Sequence, residues 1–235
     1  MFEPLRRLLV RPLVTVWLAS SPSSWRALPR PHGDPSAFAE GADPDRLLLI
    51  GSGISVGYGT DSHDSALAGQ IARAVASRTG RGTSVDVLVT DDMNARDVRH
   101  ALDRKTLLLV DAIVATPGGL ETLFLHSARG WRREIESLLD YIRHHAPASL
   151  HVFVIAVPSL PQVVRMPRLP GLLAARTATR INAELALACE GRTNTVFVPF
   201  NPEVLPPGTG PAGRYRHWAE LIAPLIAAEL EPNAV

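Results

Sequence analysis

The sequence predicts an α/β domain built on a five-stranded parallel sheet, and three observations carry that expectation. From Arg46 onward, short apolar runs alternate with longer segments of helical period. Repeated β-α units leave this pattern because each crossover helix must cover the sheet it returns to. The apolar runs show little polar alternation, as strands buried on both faces require. The first run ends in a turn rich in glycine (Gly51, Gly53, Gly57, Gly59), so the chain can bend sharply at the strand end where such sheets bind ligands.

Residues 1–45 precede that pattern and read as a leader and connector. Arg6, Arg7 and Arg11 stand before or at the start of a short apolar run over residues 13–19. That run is near the lower limit of about 7 residues for a signal-peptide core and far short of the roughly 20 a membrane-spanning helix needs. The expectation is a basic amphipathic segment, bearing Trp17, that lies on the domain or on a membrane surface. A docked terminal helix is the plainer alternative, and secretion the minority one beside a cytoplasmic, membrane-peripheral location. From Ser20 to Pro44 the chain is rich in Pro, Ser and Gly, which predicts a connector with little regular structure.

Within residues 46–235, five strands are expected, at 47–50, 85–89, 107–116, 152–157 and 195–198, each apolar and bounded by turn residues. Helices are expected between and after them at 65–78, 95–102, 131–144, 172–189 and 215–230. In the third helix Ile135, Leu138, Leu139 and Ile142 fall at i, i+3, i+4 and i+7, which makes one apolar stripe for the sheet. Leu67, Ile71, Ala74 and Val75 do the same in the first, and Gly80 and Gly82 stop it.

Composition excludes several function classes. At 46% hydrophobic and 20% charged residues the chain has ordinary globular usage, and its net charge of +1 predicts no nucleic-acid partner. The single Cys189 can form no internal disulfide, and its apolar helical run (Leu185, Leu187, Ala188) predicts a buried, inert thiol. The eight His residues show no metal-site spacing, and the adjacent His144 and His145 point to different faces of a helix. No metal or cofactor is implied.

Ligands of open parallel sheets bind beyond the carboxyl ends of the strands. The relevant loops here are 51–64, 90–94, 117–123, 158–170 and 200–213. The first reads Ile50-Gly51-Ser52-Gly53-Ile54-Ser55-Val56-Gly57-Tyr58-Gly59, followed by Ser62-His63-Asp64. With Asp111-Ala112-Ile113-Val114-Ala115-Thr116 and Gly118, Val154-Ile155-Ala156-Val157-Pro158, the helix bearing Arg176 and Asn182, and Tyr215-Arg216-His217-Trp218-Ala219, it resembles the block order of the SGNH (GDSL-type) esterases and lipases. The resemblance implies a three-layer, flavodoxin-like SGNH-hydrolase fold and acyl transfer by a serine nucleophile.

The residues that would perform that chemistry do not carry over. Gly51 matches the family glycine, but Ser52 stands where the motif has Asp, and Gly53 where it has the nucleophilic Ser. The oxyanion-binding Asn falls at Leu120, which has no donor for a developing negative charge. The Asp-x-x-His pair expected shortly before Tyr215 is replaced by Pro206-Pro207-Gly208-Thr209-Gly210. No catalytic residue is therefore assigned by the family pattern. Ser52 is a weak candidate nucleophile, because a one-residue shift along a strand turns a side chain to the other face. The expected pocket lining is Ser52, Gly53, Ser55, His63, Gly118 and Gly119. Ser55 lines the pocket or caps the following backbone, and Asp64 is placed to cap the helix that begins at Ser65. Asp91 and Asp92 read as a turn more than as a cation or sugar site.

Two other classes stay open. Gly51, Gly53 and Gly57 spell a GxGxxxG after a strand, as in dinucleotide-binding folds, but Asp91 lies about twice the usual spacing of roughly 20 residues beyond Gly51. Arg165, Arg168, Arg176 and Arg180, with the basic leader, suit an anionic lipid surface or an acidic partner, although Arg180 and Glu184 can also pair along one helix face. The reading that accounts for most residues is a catalytically degenerate SGNH-like protein with a retained pocket for an acyl, glycan or other small ligand. An esterase with a rearranged site is the alternative, and a dinucleotide-binding protein a lesser one.

Overall fold

A computed structural model describes residues 3–230 apart from 23, 91, 92, 203, 204 and 207. Six strands make one sheet: β1 (Ser36–Ala39), β2 (Asp45–Gly51), β3 (Thr83–Val89), β4 (Ala112–Thr116), β5 (His151–Ile155) and β6 (Thr195–Val198). Their order is β1-β3-β2-β4-β5-β6. Strands β2 to β6 pair in parallel, and β1 adds an antiparallel edge to β3. The five parallel strands follow the flavodoxin-like order, in which the chain steps to one side of β2 for β3 and to the other for β4. The switch point therefore lies above the carboxyl ends of β2 and β4.

Strands buried on both faces show why the sequence runs were almost wholly apolar. Leu47 and Leu49 of β2 join Phe153 and Ile155 of β5 on one face, while Leu48, Ile50, Val152 and Val154 join on the other. The first face is covered by α2 (Leu67–Thr79) and α9 (Pro211–Leu230). The second is covered by α3 (Ala95–Ala101), α4 (Arg104–Leu109), α6 (Ala128–His145) and α8 (Arg168–Cys189). In α6 the four-residue stripe Ile135, Leu138, Leu139 and Ile142 is buried, as its spacing predicts. Two short helices, α5 (Gly119–Leu123) and α7 (Leu160–Val163), follow β4 and β5.

Two segments differ from the sequence expectation, the connector and residues 107–116. The connector is not irregular throughout: it holds a 3-10 turn at Trp25–Ala27 and the edge strand β1. Only four residues long, with Phe38 exposed and Ala37 buried, β1 is set by pairing with β3 rather than by any apolar run. Residues 107–116 are not one strand. Asp103 caps α4 by accepting the Thr106 amide at 2.7 Å, the chain turns, and β4 begins at Ala112. Leu107 is buried while Leu108 and Leu109 face solvent, so the apolar run was a misleading strand signal. The leader forms α1 (Glu3–Ser20), which docks through Val14 and Leu18 onto a third cluster containing Trp25, Val56, Tyr58, Leu123, Leu160 and Ala174. No helix among the described residues is long and apolar enough to cross a membrane.

At the amino ends of the parallel strands, charge ties the elements together. Asp111 accepts from the Arg46 amide at 2.8 Å and from its guanidinium at 3.0 Å, and this pairing holds the Asp111 carboxyl below its ordinary range even against its own desolvation. Arg81 donates to Asp45 at 2.7 Å and to the Leu230 carbonyl at 2.9 Å, joining β2, β3 and the end of α9.

Candidate functional site

At the other end of the sheet, β2 ends at Gly51, whose φ of +119° an L side chain rarely adopts. A Cβ there would stand 2.5 Å from the Thr116 carbonyl oxygen, so glycine lets β2 and β4 run together to their last residues. The chain then passes through extended Ser52 into a single 3-10 turn, Gly53–Val56. The Ser52 amide donates to the Thr116 carbonyl at 3.2 Å. Thr116 Oγ1 donates to Ser55 Oγ at 2.7 Å, and Ser55 Oγ in turn donates to the Ser52 carbonyl at 3.1 Å. Two buried hydroxyls thus lock the turn onto β4.

Above this turn lies a cavity of about 840 Å³ counting its open mouth. Its floor includes Ser52, Gly53, Thr116 and Gly119, and Ala156 to Pro158 after β5 form one side. Trp25, Leu28, Leu120, Leu160 and Val163 supply apolar wall, and Tyr215 and Trp218 enter from α9. Tyr215 is fixed by donating to the Tyr58 carbonyl at 3.1 Å; burial pushes its phenol well above the ordinary range. Arg214 is the charged side chain among the residues that line the cavity.

Of the expected lining residues, Ser52, Gly53 and Gly119 border this cavity, whereas Ser55, His63 and Gly118 do not. Ser55 is spent on the hydroxyl chain beneath the turn. Gly118 sits behind the floor with φ +91°, where a Cβ would meet Val157 at 2.7 Å. His63 belongs to the turn before α2, where its carbonyl accepts the Gly69 amide at 3.0 Å; burial lowers the pKa of its ring. Asp64 does not cap α2, which begins at Leu67 behind Ala66 without a side-chain cap. Asp91 and Asp92 lie outside the described residues, as does Glu203 in the loop after β6. Glu184, expected to pair along its own helix, instead meets Arg132 of α6 at 3.0 Å. Cys189 is buried, and desolvation pushes its thiol up to about 11.

Trp25, Leu28, Thr116 and Arg214 are among the cavity residues that the sequence reading did not place there. Trp25 and Leu28 come from the connector, Thr116 was counted only as strand, and Arg214 had no motif to mark it. Glu121 of α5, next to the floor residues Gly119 and Leu120, was missed as well. Its carboxylate is buried with no hydrogen-bond partner, and desolvation pushes its pKa up to about 7.

The arrangement of sheet and covering helices is shared with solved esterases and lipases. A lipase from a goat rumen metagenome superposes with a TM-score of 0.61 at 13% identity, over 80% of this chain and 99% of that one. The fold is that of the SGNH hydrolases. TesA matches this SGNH fold at a TM-score of 0.59 and 15% identity, over 79% of this chain and all (100%) of that one. A family two carbohydrate esterase from Clostridium thermocellum, solved with cellohexaose, matches at 0.59 and 14% identity, over 82% of this chain and 66% of its own length. No protein-family model matches the sequence, and no curated protein does.

The SGNH fold also explains why the GxGxxxG spacing is not followed by a dinucleotide site's geometry. The helix whose amino end would face a pyrophosphate begins only at Leu67, well removed from the glycine turn.

Proposed function

We propose that this protein is a divergent member of the SGNH superfamily that binds a small ligand in the cavity over the Gly51-Ser52-Gly53 turn and does not hydrolyse it. The observation that carries the reading is the make-up of that cavity. Glycine stands at the nucleophile's position, and among the described residues no His, Asp or Glu lines the cavity. Ser52, the nearest hydroxyl, is 2% exposed and its Oγ is sealed beneath the surface without a hydrogen-bond partner. An oxygen so placed meets neither a substrate carbonyl nor a base to take its proton. Leu120, in place of an amide side chain, presents an apolar wall.

Turnover of short acyl p-nitrophenyl esters and labelling by a fluorophosphonate probe test the proposal. Neither is expected above the background of a heat-denatured sample. Robust turnover that disappears in Ser52→Ala overturns it in favour of an esterase with a rearranged site. A second variant asks whether the missing nucleophile is the sole defect. In Gly53→Ser the new Cβ meets only the Gly119 Cα, at 4.0 Å, so the variant folds at a cost of about 1 kcal/mol for a non-glycine residue at φ +69°. It is expected to stay inactive, because a nucleophile without its base recovers little of the rate.

We further propose that α1 makes peripheral contact with a membrane surface: Leu13 and Val16 are exposed on a helix whose earlier turns carry Arg6, Arg7 and Arg11. Flotation with anionic vesicles, lost on replacing Leu13 and Val16 by Ser, is the expected result.

A further inference from the structure

Among the described residues one charged side chain, Arg214, lines the cavity, and it gives the ligand a chemical class. Arg214 stands in the first turn of α9, beside Tyr215. Its guanidinium lies close enough to the Tyr215 phenol to act on it electrostatically. Among the described residues no carboxylate pairs with it. Other partly buried arginines have acidic partners, as with Arg81 on Asp45 at 2.7 Å and Arg192 on Asp140 at 2.7 Å. The rest of the cavity is apolar or aromatic: Trp25, Leu28, Leu120, Leu160, Val163 and Trp218. A cation at the side of a mostly apolar cavity selects a ligand with one anionic head and one apolar tail. The planar fork of a guanidinium matches a carboxylate through two parallel hydrogen bonds.

We propose that the cavity binds a free amphipathic carboxylic acid, with its alkyl chain along the Trp25, Leu120 and Leu160 wall and its carboxylate on Arg214. This rests on the reading of the cavity as a binding site that does not hydrolyse, and it names the ligand class that such a site takes. The interaction differs from that of an ester-cleaving site, in which the acyl carbonyl must meet a nucleophile and oxyanion donors at the strand-one turn. Here the anion is held by the first turn of the last helix. The tail supplies affinity without direction, at about 0.8 kcal/mol per buried methylene, or roughly fourfold in affinity.

Calorimetric titration of the full chain with hexanoate, octanoate and decanoate, each below its micelle concentration, tests the proposal beside decanol, methyl decanoate and decyl phosphate. Affinity is expected to rise about threefold to fourfold per methylene. Decanoate is expected to bind about tenfold or more tightly than decanol or methyl decanoate, as a charge-assisted pair implies. In Arg214→Gln that preference disappears while decanol affinity is kept. It persists in Arg216→Gln, whose side chain is exposed and off the cavity.

Equal affinity for decanoate and decanol in the unmodified protein, or a preference that survives Arg214→Gln, overturns the inference and leaves the binding-site reading intact. Decyl phosphate bound more tightly than decanoate overturns the carboxylate assignment in favour of a phosphate head group. Release of decanoate from methyl decanoate overturns the non-hydrolytic reading whatever the head-group preference. Failure of every amphiphile to bind overturns both.

Discussion

The two ends of the parallel sheet are built from the same strands and differ in how their polar groups are used. At the amino end, Arg46 pairs with Asp111, and Arg81 joins Asp45 to the carbonyl of Leu230. These contacts close the fold across elements far apart in sequence. At the carboxyl end, Ser52 Oγ, both Glu121 oxygens and the Trp131 indole nitrogen are buried without hydrogen-bond partners, beside or just behind a cavity. Burying polar groups unpaired costs stability. Such atoms occur at the amino end too, Asp45 Oδ2, Thr83 Oγ1 and His151 Nδ1 among them, but those at the carboxyl end stand where open α/β sheets bind ligands. The amino end holds the domain together, and the carboxyl end carries the cavity proposed as its binding site.

The sharpest break in that comparison is expected from Gly51→Ala. Its Cβ would press on the Thr116 carbonyl at 2.5 Å from a backbone at φ +119°. Strands β2 and β4 would have to part at the site, so a loss of about 3 kcal/mol or more is expected in urea unfolding.

Glu121 comes next. Folding raises its pKa from 4.5 to about 7, so between those values the folded state keeps a proton that the unfolded state has lost. The contribution of this group is therefore most favourable below pH 4.5, and stability falls as pH rises towards 7. Well above pH 7 the ionised carboxylate costs the protein about 3 kcal/mol. Glu121→Gln should remove that slope and be the more stable protein at pH 8, read as the difference between the two unfolding curves across pH. Parallel curves would show that the buried carboxyl carries no such cost.

The amino end supplies the smaller effects and the contrast between them. Asp45 is 7% exposed, so Asp45→Ala removes the buried carboxylate that Arg81 pairs with and is expected to cost about 2 kcal/mol. The Arg46 to Asp111 pair has exposed partners, 51% and 38%. Arg46→Ala is expected to cost within about 1 kcal/mol, and less at high salt.

How much of this was legible in the sequence varies with the range over which each feature is decided. The alternation of apolar runs with stripes such as Ile135-Leu138-Leu139-Ile142 announced the parallel sheet, because burial on both faces leaves no polar alternation to confuse it. The same local signal misread residues 107–110, where capping by Asp103 outweighed a run of leucines. It had nothing to say about β1, whose four residues exist as a strand only because the edge of β3 was free to pair.

By itself, then, the sequence determined the layer architecture, the position of the glycine turn and the presence of glycine rather than serine at position 53. Each is fixed by residue type at a position or by a repeat over neighbouring positions. Only the tertiary structure decided that Trp25 and Leu28 of the connector wall the cavity. The fold likewise seals Ser52 Oγ, keeps Ser55 and His63 off the cavity surface, and brings Arg214 to it from the far end of the chain. These are contacts between segments remote in sequence, set by how helices and loops close over the switch point, and no local pattern encodes them.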